Sequence, residues 1–196
     1  MSDFIWVEKY RPTTIDECIL PKSIKQTFQD FVDRGEIPNM LLSGPPGIGK
    51  TTVAKALCNQ LGADYYVING SDEGRFLDTV RTNAKNFAST VSLTSESKHK
   101  VIIIDEADNT TSDVQLLLRA SIEEFSKNCR FIFTCNYKNK IIDPLHSRCT
   151  VVDFSINKKD KPTIATQFFS RLPKIRDHEP THTEQKLFPQ KRNHHC

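Results

Sequence analysis

No stretch of the 196 residues approaches the ~20 consecutive apolar residues of a membrane-spanning helix, so no membrane partner is expected. The opening residues Met1-Ser2-Asp3-Phe4 lack a basic segment followed by an apolar one, so no secretory signal is expected either. The six cysteines (18, 58, 129, 135, 149 and 196) stand far apart, and no pair has metal-ligand spacing. Reduced, mostly buried thiols in a cytoplasmic protein are the expectation. A large excess of one charge is also missing. The net charge of +3 does not advertise nucleic-acid binding, so any DNA contact must come from a local patch. It hides an asymmetry: residues 1–156 carry 18 Lys/Arg against 20 Asp/Glu, and residues 157–196 carry 9 against 4.

What is present suffices for one soluble domain with a core of its own: 37% of residues are hydrophobic and 26% charged. The chain is organised around Gly44-Pro45-Pro46-Gly47-Ile48-Gly49-Lys50-Thr51, which fits the phosphate-binding loop pattern. Gly44, Gly47 and Gly49 let the backbone turn tightly and approach an anion. The amides of such a turn form an anion cradle. Lys50 is then placed for the β- and γ-phosphates of a nucleoside triphosphate, and the Thr51 hydroxyl for Mg²⁺. A short buried strand, Asn39–Ser43, precedes the loop, and a helix over Thr52–Cys58 follows, with Val53, Ala56 and Leu57 on its apolar face.

Around this centre the elements alternate. Ser23–Val32 predicts an amphipathic helix capped by Ser23, with Ile24, Phe28 and Phe31 at helical spacing and Gly35 and Pro38 beyond its end. Asp64–Asn69 reads as a strand and Gly70–Gly74 as a turn. Phe76–Phe87 reads as a helix with Phe76, Val80 and Phe87 inward. Arg81 and Lys85 lie on its other face after Arg75, a spacing that ordinarily means a solvated surface. Ser89–Lys100 is polar and reads as a loop. Val101–Ile104 predicts a buried parallel strand running into Asp105-Glu106-Ala107-Asp108, with Asp105 placed for the Mg²⁺ shell and Glu106 for the attacking water. Ser112–Phe125 reads as a helix capped by Ser112, with Val114, Leu117, Leu118, Ile122 and Phe125 inward and Arg119 away from the centre of that stripe. Arg130–Thr134 and Thr150–Phe154 read as strands, the first ending at Cys135-Asn136. The alternation predicts an α/β fold, a parallel doubly wound sheet flanked by helices.

Several motifs then stand in one order: Val-Glu-Lys-Tyr-Arg-Pro at 7–12, the phosphate loop, Asn69-Gly-Ser-Asp, Asp-Glu-Ala-Asp at 105–108, Thr-Cys-Asn at 134–136 and Ser-Arg-Cys at 147–149. Together they resemble the ATPase subunit of a sliding-clamp loader, the replication factor C type among AAA+ P-loop ATPases. Thr14–Pro21 and Ala54–Cys58 resemble in particular the large subunit of T-even-like bacteriophage loaders, and a viral origin would place the protein in host cytoplasm. The resemblance covers about residues 4–156. It implies ATP and Mg²⁺ as ligands, with Gly44 through Thr52 (Gly44, Pro45, Pro46, Gly47, Ile48, Gly49, Lys50, Thr51, Thr52) around the phosphates and Tyr10, Arg11 and Pro12 at the adenine. It makes Asn136 a sensor that positions the attacking water and Arg148 a finger for a neighbouring subunit's γ-phosphate. It has Asn69 hold Glu106 inactive until DNA binds, and Arg119, on the helix of Gln115, couple catalysis to assembly. Arg75, Arg81 and Lys85 would meet template-strand phosphates. The implied partners are other loader subunits, a sliding clamp and primer–template DNA.

The likeness fades toward the end. Residues 1–156 are expected to be the ATPase domain. Residues 157–172 resemble the start of a helical lid, with Ile164, Phe168, Phe169 and Leu172 expected to bury against that domain. Residues 173–196, with Pro173, Pro180 and Pro189 and many basic groups, are expected to be disordered. The family's collar has no counterpart, so a truncated chain is expected. The leading expectation is therefore an ATP-hydrolysing loader subunit. A truncated module that binds nucleotide or partners without turnover is the alternative. Ser147-Arg148-Cys149 argues against a helicase loader or a branch-migration motor.

Overall fold

The computed structural model describes residues 9–71, 79–89 and 100–177, apart from the side chains of 79, 81 and 174–177. Five parallel strands form one sheet: β1 (Met40–Ser43), β2 (Tyr65–Asn69), β3 (Lys100–Asp105), β4 (Cys129–Cys135) and β5 (Thr150–Asp153). Their spatial order is β2-β3-β4-β1-β5. Register aligns Asn69 with Asp105, and Ser43 with both Cys135 and Asp153, so the carboxyl ends share one edge. The chain leaves β1 in one direction and later returns to β1's other side as β5. The crevice above β1 is thus a topological switch point, where ligands bind in open α/β sheets.

The sheet is apolar on both faces. Leu42, Ile103 and Ile132 point to the face covered by α1 (Lys22–Arg34) and α2 (Lys50–Gln60), packing with Phe28, Leu57 and Phe154. Leu41, Ile102, Phe131 and Phe133 point to the opposite face, under α3 (Lys85–Ser89), α4 (Ser112–Glu124) and α5 (Asp143–His146), with Leu118, Ile122 and Leu145. Alternate residues of one strand feed opposite cores, as a covered parallel sheet requires. The doubly wound expectation holds.

Both cap expectations need correction. Helix α1 starts one residue before Ser23, behind Pro21, and no side chain caps it. Helix α4 is capped by Thr111, whose hydroxyl accepts the Val114 N–H, so Ser112 is its first helical residue. The segment read as one α-helix from Phe76 to Phe87 is described only from Thr79. There it runs as a π-helix to Ala84 before α3, with Val80 buried and Phe87 half-buried. Phe76, most of the polar loop before Lys100 and the Trp6–Glu8 stretch lie outside the described residues, as does the tail from 178.

Helix α6 (Lys161–Asp177) also departs from expectation. It continues through Pro173, five residues past the expected boundary. Phe168, Phe169 and Leu172 are 49%, 66% and 42% exposed, so the expected burial does not occur, and Ile164 is half-buried. Polar contacts dock the helix instead. Gln167 donates to Leu20 O and accepts Leu20 N–H, both at 3.0 Å, and Arg171 donates to Tyr10 O at 2.9 Å and to Glu17 O. No described helix is long and apolar enough to cross a membrane.

Candidate functional site

The loop between β1 and α2 is built by its glycines. Gly44 has φ +148°, which L side chains rarely adopt, and a Cβ there would crowd Ile48 Cδ1 at 2.8 Å and Phe154 Cβ at 3.1 Å, so a larger residue would strain the loop. Gly49, at φ +90°, stands immediately before α2 and no side chain caps that end. The helix therefore presents open N–H groups to the crevice, where an anion is favoured. Lys50, the first helical residue, is 7% exposed. Its ammonium donates to Gly44 O (2.7 Å), Pro45 O (2.9 Å) and Asn136 Oδ1 (2.9 Å). Burial pushes this ammonium below its ordinary pKa, against the pull of the carboxylates of Asp108, Asp105 and Glu106.

Thr51 donates its hydroxyl to Asp105 Oδ1 at 2.6 Å, and Thr134 donates to the same oxygen at 2.6 Å. Thr134 also accepts the Glu106 N–H at 3.0 Å, so one buried hydroxyl ties both acids at the end of β3 to β4. The paired hydroxyl and carboxylate oxygens of Thr51 and Asp105 are the hard donors that Mg²⁺ takes alongside water and phosphate. Glu106 has φ 55°, the one positive φ outside glycine among the described residues. That left-handed turn carries its side chain off the strand line. Its Oε2 accepts from Ser71 Oγ and, at 3.2 Å, from Asn109 Nδ2. The turn is crowded, since a Cβ on Gly70 would lie 2.5 Å from Glu106 O.

Asn69 was expected to hold Glu106 and makes no hydrogen bond to it. Its Oδ1 accepts the Ser71 N–H at 3.0 Å, so the link to the acid passes through Ser71. The reason is geometric: Asn69 ends β2 in register with Asp105, one residue short of the acid. At the neighbouring strand end, Asn136 and Tyr137 donate their N–H groups to Asp108 Oδ2 at 3.2 and 3.1 Å.

Tyr10, Arg11 and Pro12 close the crevice from the other side. They line a cavity of about 550 Å³ with Pro46, Gly47, Lys50, Thr51, Thr52, Asp105, Glu106 and Asn136. Arg11 donates to Thr52 Oγ1 at 3.1 Å. Ile48 turns away and packs with the core of Phe28 and Phe154. Gly44 and Pro45 take part through the carbonyls that receive Lys50.

Arg148 lies apart from this crevice. It follows α5 and donates from Nε (2.9 Å) and Nη2 (2.6 Å) to Glu123 Oε1, and from Nη1 to Pro144 O (2.9 Å). Those hydrogen bonds hold the Glu123 carboxyl below its ordinary pKa. Arg119 sits beside the same carboxylate, Nη2 at 3.5 Å, while its Nε is buried without a partner. Arg119 therefore belongs to the Arg148 corner and is bonded to neither acid of β3. Of the three expected DNA contacts, Arg75 and the side chain of Arg81 lie outside the described residues. Lys85 is exposed and pairs with Glu124 at 3.4 Å.

Sequence reasoning missed Thr134, Ser71, Asn109 and Asp108 as members of the site and Gln115 as a buried brace. Gln115 is 1% exposed, donates to Thr110 O and Lys140 O and accepts the Ile142 N–H. Thr134, Ser71 and Asp108 stood inside quoted motifs, but nothing in those motifs pointed to their partners. Cys18, Cys58, Cys129 and Cys135 are buried and Cys149 half-buried. Burial pushes all five thiols up to between about 11 and about 12, so they are unreactive at neutral pH. Chemically, the crevice offers an amide cradle, one ammonium, a hydroxyl–carboxylate pair, a second carboxylate and an amide side chain. Those are the parts of a phosphoryl-transfer site.

A family model described as "ATPase family associated with various cellular activities (AAA)" matches residues 40–156. The chain is 44% identical over 172 residues to the replication factor C small subunit of Methanocella arvoryzae, covering 85% of this chain and 53% of that protein. It is 45% identical over 181 residues to the sliding-clamp-loader large subunit of Enterobacteria phage T4, covering 91% and 56%. The chain spans about half the length of these curated relatives. Among solved structures, the RuvB Holliday junction branch migration motor of Thermotoga maritima superposes with a TM-score of 0.61 at 22% identity, over 84% of this chain and 55% of that one. That likeness speaks for the fold alone.

Proposed function

Because the chain belongs to the ATPase family associated with various cellular activities, we propose that it is an ATP-hydrolysing subunit of a sliding-clamp loader. The observation that carries this reading is the convergence of Lys50, Thr51, Asp105, Glu106 and Asn136 on one crevice above β1. The similarity to proteins named as replication factor C and clamp-loader subunits directs it toward clamp loading. The proposed ligands are ATP and Mg²⁺, and the proposed partners are other loader subunits, a sliding clamp and primer–template DNA.

In this reading the amides from Gly47 to Thr51 and the Lys50 ammonium hold the phosphates. Lys50 already has oxygens at three acceptor positions, and a γ-phosphate would exchange for the carbonyls of Gly44 and Pro45. Mg²⁺ bound at Thr51 and Asp105 would neutralise charge developing on the phosphates. Glu106 accepts a proton from the attacking water, Asn136 orients that water, and Tyr10, Arg11 and Pro12 flank the base. Arg148 faces away from this crevice and acts on the nucleotide of an adjacent subunit. Arg75, Arg81 and Lys85 meet the template strand, Lys85 after leaving Glu124. Residues 1–156 form the ATPase domain, and α6 begins a lid-like region.

The test is ATP hydrolysis with and without primer–template DNA, clamp and a partner loader subunit, read beside the mass of the particle. Stimulation in a higher-mass complex is the expected result. ATP binding by a monomer that nothing stimulates would overturn the loader assignment, and failure to bind ATP would overturn the site.

A further inference from the structure

Asp108 is the fourth residue of the acidic motif and has no part in the mechanism above. It is 6% exposed. Burying a carboxylate is costly unless hydrogen bonds compensate it. The compensation is specific: Oδ2 receives the N–H groups of Asn136 and Tyr137 and nothing else, while Oδ1 is buried with no hydrogen-bond partner. Those two amides come just after β4, where the register with β1 has ended at Cys135. Past that point the sheet supplies them no acceptor, and Tyr137 is 60% exposed. Asn136 is therefore held from two sides, by Asp108 at its backbone and by Lys50 at its side chain.

We infer that Asp108 is a positioning residue that fixes Asn136 against Lys50 and so sets the amide's place at the terminal phosphate. The short helical turn at Ala107–Asn109, which starts from the left-handed Glu106, brings the carboxylate beneath the end of β4. One reversal of the chain thus aims Glu106 into the crevice and Asp108 under it. The inference rests on the phosphate-site reading of Lys50 and Asn136.

The test compares Asp108→Asn, Asp108→Leu, Asn136→Ala and the Asp108→Leu/Asn136→Ala double variant in the full chain. Affinities for MgATP and MgADP are measured separately. Asp108→Leu should cut the preference for ATP over ADP roughly tenfold, the loss of one hydrogen bond to a charged group. Asp108→Asn keeps an oxygen that accepts both N–H groups and should hold the preference within about threefold. The double variant should match Asn136→Ala, because Asp108 acts through Asn136. Unchanged preference in Asp108→Leu, or losses that add in the double variant, would overturn the inference. A second readout needs no nucleotide: the amide proton resonances of Asn136 and Tyr137 should move upfield in Asp108→Leu and stay in place in Asp108→Asn. Unmoved resonances in Asp108→Leu overturn the inference. Loss of ATP preference in the parent chain alone overturns the phosphate-site reading, with the amide resonances still deciding the role of Asp108.

Discussion

The crevice above β1 and the corner around Arg148 both gather charge, and they differ in how completely one chain satisfies them. In the crevice, Lys50 bonds Asn136, and Thr51 and Thr134 bond Asp105, two sets of contacts sunk side by side between strand ends. At the corner, Arg148 meets one exposed carboxylate, Glu123, that it shares with Arg119. The first arrangement is self-sufficient. The second holds its cation by a contact that a stronger anion would displace, since an exposed ion pair contributes little. On the proposed reading, the difference would separate chemistry completed within the chain from chemistry offered to a neighbour.

The sharpest way to break this contrast is Arg148→Ala. In an assembled complex it should lower DNA-stimulated hydrolysis by about 10³–10⁵, while basal turnover of the isolated chain stays as it was. Equal loss in both would place the arginine at its own crevice. Next comes Glu106→Gln, which should lower turnover by about 10²–10⁴ in steady-state assays and leave nucleotide affinity unaltered. Unchanged hydrolysis would remove Glu106 from the reaction.

A smaller effect belongs to Glu123→Gln. Hydrogen bonds from Arg148 hold the Glu123 carboxyl below its ordinary value, so the stabilisation they give is complete above the unfolded carboxyl value. It is lost as pH falls through the lower folded-state value. Thermal melts from neutral pH into acid should show a slight gap between the parent and Glu123→Gln that closes in acid; a gap that widens in acid would contradict the pairing. A further pair of variants sharpens the frame that carries Glu123. Thr111→Ala should cost about 1 kcal/mol in chemical denaturation and Ser112→Ala close to nothing, because Thr111 supplies the cap of α4.

The site divides along similar lines in what its sequence reveals. The phosphate loop, the Val101–Ile104 run and the acids after it were legible because their signals are local: fixed spacing, consecutive β-branched residues and a strand that stops at carboxylates. Asn136 was legible once the sheet was taken as parallel, and Lys50 indeed meets its side chain. Thr134, Ser71 and Asn109 were not. Each is a common polar residue whose importance comes from a partner 28 to 38 positions away. The cap of α4 was missed by one residue because Thr111 and Ser112 compete for that place, and the start of α1 was missed because Pro21, which has no side-chain bond to give, stands there. The reach of α6 was missed for a different reason. Pro173 reads as a stop, yet the helix continues past it.

The two hydrogen bonds between Gln167 and Leu20 have a mechanical consequence. A residue in a sheet gives its neighbour one N–H and one C=O, and the Gln167 side chain does the same to Leu20 from the flank of a helix. It acts as a single rung of a ladder that has no second strand. Two parallel bonds share any load, so both must open before either side swings free. Helix α6 and the segment from Tyr10 to Leu20, which borders the crevice, are thereby geared together. For α6 to move away, the bonds of Gln167 to Leu20 and of Arg171 to Tyr10 O would have to open.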